Sequence, residues 1–465
     1  MNTSRPPLSP RRDGAPQSPR RDGAPQRPGR PGVTPQRTPT ARAMAQRAIY
    51  LILDRHMPLE DTLTGAEDWM KLAPRDRAFC RLLVATVLRR LGQIDDILSQ
   101  LVQRKPDGKD AYVEQILRIA AAQLLFLETP PHAAIDEAVK MTRGAGMKAM
   151  VNAVLRKIAT QRHAMLRAQD SERLNLPDWL WRSWCEAYGE ANTRAISRAH
   201  TFEPPLDITM RDPGTVDIWA ERLKGRALPN GSVRIGKPRP VPMLEGFAQG
   251  VWWVQDAAAT FPALLLGDLK GKQAIDLAAA PGGKTLQLAA AGAQVTALDQ
   301  SRERLERLFE NLERMNLSAD TDVADARYYR PKQQVDAVLL DTPCSATGTA
   351  RRHPDVVWSK TPAAVASLTQ MQDALLKNAA SMVKPGGKLV YACCSLQPEE
   401  GPMRIEAFLR RHKEWRRQPV GPNEIPGTAQ FVTPDGDMRT LPCHWPENGG
   451  IDGFYIARLT KAEDQ

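Results

Sequence analysis

The sequence predicts an all-α domain followed by an α/β domain with a mostly parallel sheet. Two observations carry this. From residue 41 to about 167 apolar residues recur at spacings of three and four, with no strand signal. After residue 270 short apolar runs at 273–277, 294–298, 335–340 and 388–392 are separated by longer helical segments, the pattern of a parallel sheet with covering helices. A chain of 465 residues has room for two or three domains, because single cores usually stop growing well short of that length.

The chain divides into four segments: 1–40, 41–167, 168–265 and 266–465. The first is rich in Pro, Gly and Arg, and SPRRDGAPQ at 9–17 recurs unchanged at 18–26. Such composition buries too little apolar surface to offset its ordering entropy, so a disordered basic tail is expected. Nine arginines against Asp13 and Asp22 put +7 of the formal net charge of +11 into residues 1–42, leaving +4 for the rest. The folded part is only mildly basic, and charge alone does not establish a nucleic-acid partner. The tail either attracts phosphates without regard to sequence or is a solvated extension.

In segment 41–167, Phe79, Leu82, Leu83, Val87 and Leu91 are expected on one helix face. Further helices are expected over 113–127, 133–141 and 148–158, punctuated by Pro130, Pro131, Gly144 and Gly146. Arg77, Arg81, Arg89 and Arg90 are its candidate phosphate contacts. Segment 168–265 is mixed, with strand-like pieces at 206–210 and 251–254, and reads as a connecting subdomain. Its Trp179, Trp181 and Trp184, interleaved with Arg182 and Arg194, either stack on bases or pack in a core.

No run of 18 apolar residues occurs and the N-terminus carries no apolar signal region, so a cytoplasmic protein with no membrane partner is expected. The six cysteines show neither paired CxxC spacing nor disulfide-scaffold density, so reduced thiols are expected. Cys80 and Cys185, in apolar helices, read as inert core thiols. Cys443 and His444 are adjacent but have no second ligand pair, and no metal is expected.

Chemistry concentrates after residue 270. The first strand of the sheet runs into Asp276-Leu-Ala-Ala-Ala-Pro-Gly-Gly-Lys-Thr285, a glycine pair where a strand turns into a helix. Such a turn lets backbone amides approach a ligand, and the helix N-terminus favours an anionic group. A phosphate-binding loop would need Gly at Ala278, and no GxGxxG is present, so neither common nucleotide motif fits. Asp299 closes the second strand 16 residues after Gly283, where it either holds a ribose hydroxyl or caps the following helix. With Asp325 and Asp341, each just past a strand-like stretch, three carboxylates are expected at one edge of the sheet. Asp341-Thr-Pro-Cys344 and Tyr391-Ala-Cys-Cys394 put thiols on that same edge. A thiolate adding to a pyrimidine ring makes the distal ring carbon electron-rich, as methyl transfer from a sulfonium requires; Lys284, Arg351 and Arg352 are the candidate cations that would favour the thiolate.

DLAAAPGGKT, LLDTPCSATGT, LVYACCSLQPEE and NGGIDGFYIARL, in that order, resemble the motifs of the RNA cytosine carbon-5 methyltransferases, in particular the bacterial Fmu-type enzymes acting on 16S ribosomal RNA. DRAFCRLLVATVLR, PHAAIDEAVKMT and MVNAVLRKI resemble that family's NusB-like helical RNA-binding domain. The resemblance implies a NusB-like domain followed by a Rossmann-like methyltransferase domain with a ribosomal RNA substrate; a monomer is expected. It implies that Ala278, Ala279, Ala280, Pro281, Gly282, Gly283, Lys284, Asp299, Asp325 and Asp341 bind S-adenosylmethionine. It further implies that Cys394 attacks the base, that Cys344 helps release the product and that Asp341 faces the cytosine. Two departures stand out: Ala278 replaces the usual Cys, and Cys393 replaces the usual Thr, setting a rival thiol beside the nucleophile. Cys394 is chosen because it precedes Ser395, and neighbours on a strand point to opposite faces. The alternatives are a related enzyme acting on transfer RNA or another ribosomal position, and a non-catalytic RNA-binding or antitermination factor with a vestigial methyltransferase domain.

Overall fold

The computed structural model describes residues 40–236 and 240–463. The basic tail expected over 1–40 lies outside the described residues except for Thr40. The chain then runs through seven helices, Ala41–Arg55, Leu59–Thr64, Pro74–Arg89, Leu91–Leu101, Tyr112–Leu125, Pro131–Met141 and Ala145–Ala168. Local chemistry sets their starts. The Thr40 hydroxyl accepts from the Ala43 N–H, and proline occupies the first helical position at Pro74 and Pro131, where its missing N–H costs nothing. Their shared core includes Ile49, Leu83, Val84, Leu88, Ile116 and Leu155. One expectation fails here. Leu82 is 42% exposed, because Pro74–Arg89 buries the row Cys80, Val84 and Leu88 beside Leu83 and Val87.

Helices Ser171–Leu174, Asp178–Tyr188 and Glu190–His200 lead into a small antiparallel sheet of β1 (Leu206–Met210), β2 (Arg226–Ala227), β3 (Ser232–Ile235) and β4 (Trp252–Val254), ordered β2-β3-β1-β4. The two strand-like pieces read from sequence are neighbours in it, with Thr209 opposite Trp253. Asp207 and Arg234 face each other across β1 and β3 as a buried ion pair at 2.6 Å.

The second sheet contains β5 (Gln273–Leu277), β6 (Gln294–Asp299), β7 (Asp320–Val323), β8 (Val335–Asp341), β9 (Val383–Cys393), β10 (Trp415–Arg417), β11 (Met438–Thr440) and β12 (Phe454–Lys461). Its order is β10-β12-β9-β8-β5-β6-β7, with β11 also on β12. The strands β7, β6, β5, β8 and β9 are parallel, and β12 runs antiparallel to β9. Period-two alternation sorts the two faces: Ala274 and Ala337 pack with Phe261 of helix Ala257–Leu264, whereas Ile275 and Val338 pack with Leu375 and Phe408 of helices Pro362–Ser381 and Pro402–Arg411.

Each of the four expected strands is separated from the next by a helix, and β7 is a strand that the sequence reading missed. The connection from β7 to β8 carries no helix: it holds few apolar residues, a local Asp325–Arg327 ion pair and Pro331. The uncovered amino ends of β5, β6 and β8 border a cavity of about 870 Å³ lined by Gln273, Gln294, Asp320 and Lys332, remote from the cysteines. Among the described residues no helix is long and apolar enough to cross a membrane.

Candidate active site

Parallel strands deliver their following loops to one edge, where ligands of open α/β sheets bind. β5 enters its loop through Ala278 in the left-handed region (φ 59°) and reaches helix Gly283–Ala290 through Gly282 (φ 108°). A Cβ at Gly282 would lie 2.3 Å from Leu308 Cδ1, so the close turn requires glycine on both counts. Beneath the loop the Thr285 hydroxyl donates to Asp276 Oδ2 at 2.6 Å. Burial pushes the Asp276 carboxyl up to about 7, and its Oδ1 has no partner within the protein. Lys284 Nζ donates to Asp341 Oδ2 at 2.6 Å. Burial opposes the lysine's charge, but Asp341 more than offsets it, and the pKa of Lys284 rises.

Asp299, Asp325 and Asp341 do follow adjacent parts of the sheet edge, but each has its own cation: Arg304 at 3.2 Å, Arg327 at 2.6 Å and Lys284. Asp299 also accepts the N–H groups of Ser301 and Ala280, which ties the second strand's end to the glycine loop. It is not the helix cap. Ser301 caps Arg302–Met315 by accepting from the Arg304 N–H. Arg304, whose side chain is half exposed, also donates to the Ala280 carbonyl and so ties Asp299 to the glycine loop.

The thiols converge from two strands. Cys344, three residues past the end of β8, and Cys394, just past β9, lie with Sγ atoms 3.4 Å apart. Cys393 points into the opposite face's core with Tyr391 and Leu389, as the strand alternation requires. The Cys393 and Cys394 thiols, together with the N–H groups of Ala346 and Cys394, hold Cys344 well below the ordinary thiol range. The same contact with Cys344, then burial, holds Cys394 well above it. The two thiols therefore titrate as one coupled pair, in which either sulfur can donate to the other.

Glycine stitches the loops together. Gly348 donates to the Cys394 carbonyl at 2.9 Å and accepts from the Gly453 N–H at 2.8 Å, and a Cβ on Gly348 would stand 2.1 Å from the Gly453 carbonyl oxygen. Of the cations expected to favour a thiolate, Lys284 is at the site. Arg352 is instead held by Asp256 and Asp452, at 2.6 and 3.0 Å, and Arg351 by the Gly449 carbonyl at 2.9 Å.

Other sequence candidates resolve into packing. Trp184 is fully buried and donates to Gln397 at 2.6 Å; Trp181 lies between the guanidiniums of Arg173 and Arg194, 5.1 and 5.2 Å from its ring centre. Cys80 is buried, which pushes its thiol up to about 12. His444 accepts the Leu441 N–H and stacks on Phe431 with centroids 5.1 Å apart. The arginines singled out in the helical part are mostly engaged: Arg81 with Glu60, Arg77 with the Leu72 carbonyl, Arg89 with the Arg351 carbonyl and Arg90 with Gln93 and Phe126. The unpaired charge lies instead on Ala145–Ala168, which carries Lys148, Arg156, Lys157, Arg162 and Arg167, has no acidic residue, and shows no ion pair from these five among the described residues. The sequence assigns no role to two buried acids, Asp276 and Glu400: the first opens its motif, the second is one of two adjacent glutamates, and nothing in the spacing marks either.

Comparison with known proteins adds the following. Residues 263–460 match the family described as 16S rRNA methyltransferase RsmB/F, and residues 39–160 match the NusB family. The chain is 35% identical over 438 residues to the ribosomal RNA small subunit methyltransferase B of Salmonella typhi, covering 90% of this chain and 98% of that one. The protein of the same name from Klebsiella pneumoniae (strain 342) is 34% identical over the same coverage. Among solved structures, PH0851 superposes with a TM-score of 0.69 at 24% identity, covering 90% of this chain and 99% of that one. NSun6 from Pyrococcus horikoshii, solved with SFG, gives 0.53 at 18% identity, covering 62% of this chain and 99% of that one. These structural likenesses speak for the fold: a helical region followed by a Rossmann-like methyltransferase domain.

Proposed function

Because the chain belongs to the 16S rRNA methyltransferase RsmB/F family, we propose that this rRNA methyltransferase transfers a methyl group from S-adenosylmethionine to carbon 5 of a cytosine in 16S ribosomal RNA, through a covalent bond between Cys394 and the base. The observation that carries this reading is the 3.4 Å contact of Cys344 and Cys394 at the carboxyl ends of adjacent parallel strands, beside the Lys284–Asp341 pair.

The residues proposed to hold S-adenosylmethionine are Ala278 to Lys284 with Asp299, Asp325 and Asp341. They fit such a group: the turn leads into the N-terminus of helix Gly283–Ala290, and the buried Asp276 Oδ1 beneath it lacks a partner. When bound, the cofactor supplies an electrophilic methyl on a sulfonium. The protein's own steps follow from its thiols. As Cys394 Sγ bonds to carbon 6, its proton passes to the Cys344 thiolate and on to solvent. The electron pair gained by carbon 5 takes the methyl. Cys344 then removes the carbon-5 proton, the bond from Cys394 to carbon 6 breaks, and the ring's double bond is restored. Asp341, oriented by Lys284, is the proposed acceptor facing the base.

We read residues 41–167 as the RNA-binding domain, 168–265 as a connecting subdomain and 266–465 as the methyltransferase domain. The unpaired cations of Ala145–Ala168 support phosphate binding there, and Lys148 to Arg167 spans roughly 28 Å at ~1.5 Å per residue. Converting Lys148, Arg156 and Arg167 to Glu is expected to weaken RNA binding and to flatten the slope of log affinity against log salt by about 0.7–0.9 per lost phosphate contact. An unchanged slope would remove this face from the interface. The activity itself is tested by transfer of labelled methyl to ribosomal RNA, with bisulfite mapping of the product in a deletion strain. Label appearing only on transfer RNA, or at a position other than carbon 5, would overturn the reading.

A further inference from the structure

Beneath the two thiols lies a buried carboxylate with no cation. Glu400 is 0% exposed. Its Oε1 accepts from the Ser345 N–H at 2.9 Å and from Gln372 Nε2 at 3.0 Å, and its Oε2 accepts from the Ser345 hydroxyl at 2.5 Å. Gln372 Nε2 also donates to the Pro343 carbonyl at 3.0 Å, so both chain neighbours of Cys344 are tied to this one network. The Ser345 and Ser395 hydroxyls lie 2.9 Å apart, and Ser395 follows Cys394. With the Ser345 hydroxyl donating to Glu400, the Ser395 hydroxyl must donate to Ser345, and it accepts in turn from the Gln397 N–H at 2.9 Å. Nearby cations go elsewhere: Arg404 and Arg439 bind the carbonyls of Glu399 and Ser395. Tyr391, from the strand below, donates to the Glu400 carbonyl oxygen at 2.6 Å.

A buried carboxylate is costly unless it is hydrogen-bonded, and one that does not balance a cation is retained for some other reason. We propose that Glu400 is a positioning residue for the methyl transfer: its carboxylate clamps the loop of Cys344 to the loop of Cys394 through Ser345, Ser395 and Gln372, and so fixes the separation of the two sulfurs. The proposal rests on the reading of Cys344 and Cys394 as the working thiols. The carboxylate also sets their protonation. Burial, then the Cys344 charge, pushes the Glu400 pKa up, and by reciprocity its negative charge disfavours the neighbouring thiolate. Besides Glu400, the groups that face this thiolate are Tyr391 and Cys393 from β9, Cys394 just past it, and Lys284 and Asp341 across the site.

Glu400→Gln keeps the volume, removes the charge and turns one acceptor into a donor facing either Gln372 or Ser345. Expected is a ten- to hundredfold fall in kcat with little change in KM for RNA or in affinity for S-adenosylmethionine. At the same time the pH midpoint for alkylation of the Cys344 and Cys394 thiols by iodoacetamide should move down. The Cys344 midpoint decides: loosening would release the hydrogen bonds that hold this thiol low and so raise its midpoint, whereas loss of the Glu400 charge lowers it. Ser345→Ala cuts the same clamp from its other end, and should lower kcat similarly without adding to Glu400→Gln in the double variant. An unaltered kcat in both single variants, or a fall in kcat with the alkylation midpoint unmoved, overturns the proposal. If the natural protein fails to methylate cytosine, the functional reading falls, while the alkylation midpoint still decides whether Glu400 governs the thiols.

Discussion

The two loops that carry the thiols are anchored in different parts of the molecule. The loop after β9 is tied to the connecting helix Asp178–Tyr188: Trp184 donates to Gln397 at 2.6 Å and Tyr188 donates to the Leu396 carbonyl at 2.5 Å. The loop after β8 runs on into residues 351–359, which dock against the N-terminal helices. There Asp355 accepts the Leu59 N–H at 3.2 Å, Trp358 donates to the Leu88 carbonyl at 2.8 Å, and Arg89 donates to the Arg351 carbonyl at 2.9 Å. One thiol is thus referred to the connecting subdomain and the other to the helical part. The regions read from sequence as a helical RNA-binding domain and a connecting subdomain thus both brace the edge that carries the thiols.

The largest expected effects separate the two thiols themselves. Cys394→Ala should abolish both methyl transfer and any covalent complex with RNA. Cys344→Ala should cost about 10²–10⁴-fold in turnover, the usual scale for a proton-transfer group, and should accumulate a protein–RNA adduct that survives denaturing electrophoresis and needs Cys394. Turnover by Cys394→Ala, with Cys344→Ala dead and free of trapped RNA, would reverse the roles.

Next in size is the support of the Cys344 loop. Deleting residues 41–167 removes the partners of Asp355 and Trp358 together with the basic face, so the truncated enzyme should lose turnover beyond what saturating RNA restores. Trp358→Phe isolates this support: it leaves the Leu88 carbonyl without its donor, a cost of about 1–3 kcal/mol for a buried group. Its expected signature is a several-fold lower kcat with unchanged RNA affinity. A change in affinity alone would mean that the helical part serves binding only.

A smaller effect tests the cofactor side of the edge. The Asp276 carboxyl has an ordinary unfolded pKa near 4 and a folded value of about 7, raised by burial. A raised acid holds its proton in the fold, so its share of stability is present below about pH 4, is lost as pH rises to about 7, and is flat above that. Melting curves of the cofactor-free enzyme should therefore show a decline over this window that Asp276→Asn flattens. An identical slope in the variant would mean that Asp276 is ionised throughout.

Much of this was legible in the sequence, for physical reasons that also mark the gaps. Strands β5, β6 and β8 are buried on both faces and so read as continuous apolar runs; the expected starts of all three match the structure. The glycine turn was legible because Gly282 and Gly283 stand at a strand end, where only a backbone demand explains a glycine pair. Helix Ala145–Ala168 extends ten residues past its expected end at 158, because the stretch beyond Ile158 fully buries no residue and shows no periodic stripe. The pairing of Arg81 with Glu60 joins residues 21 apart on different helices, which no local pattern reveals. The Glu400 network spans three elements and is invisible without their assembly.

The smallest expected effect concerns Cys393, and it is the sharpest test of the alternation that assigns the nucleophile. Cys393 is 0% exposed and packs with Tyr391 and Leu389 on the face away from Cys394, where it meets Cys344. Cys393→Ala should fold, and should methylate within a few-fold of the natural enzyme. It should nevertheless not be silent. Cys393 contributes to holding the Cys344 thiol low, and without that contribution the Cys344 thiolate forms at higher pH. The acid limb of the kcat–pH profile should therefore move upward, while the Cys394 adduct trapped by Cys344→Ala still forms in the double variant. Loss of that adduct would make Cys393 the attacking thiol. An acid limb that stays in place would show that Cys344 owes its low pKa to Cys394 and the backbone amides alone.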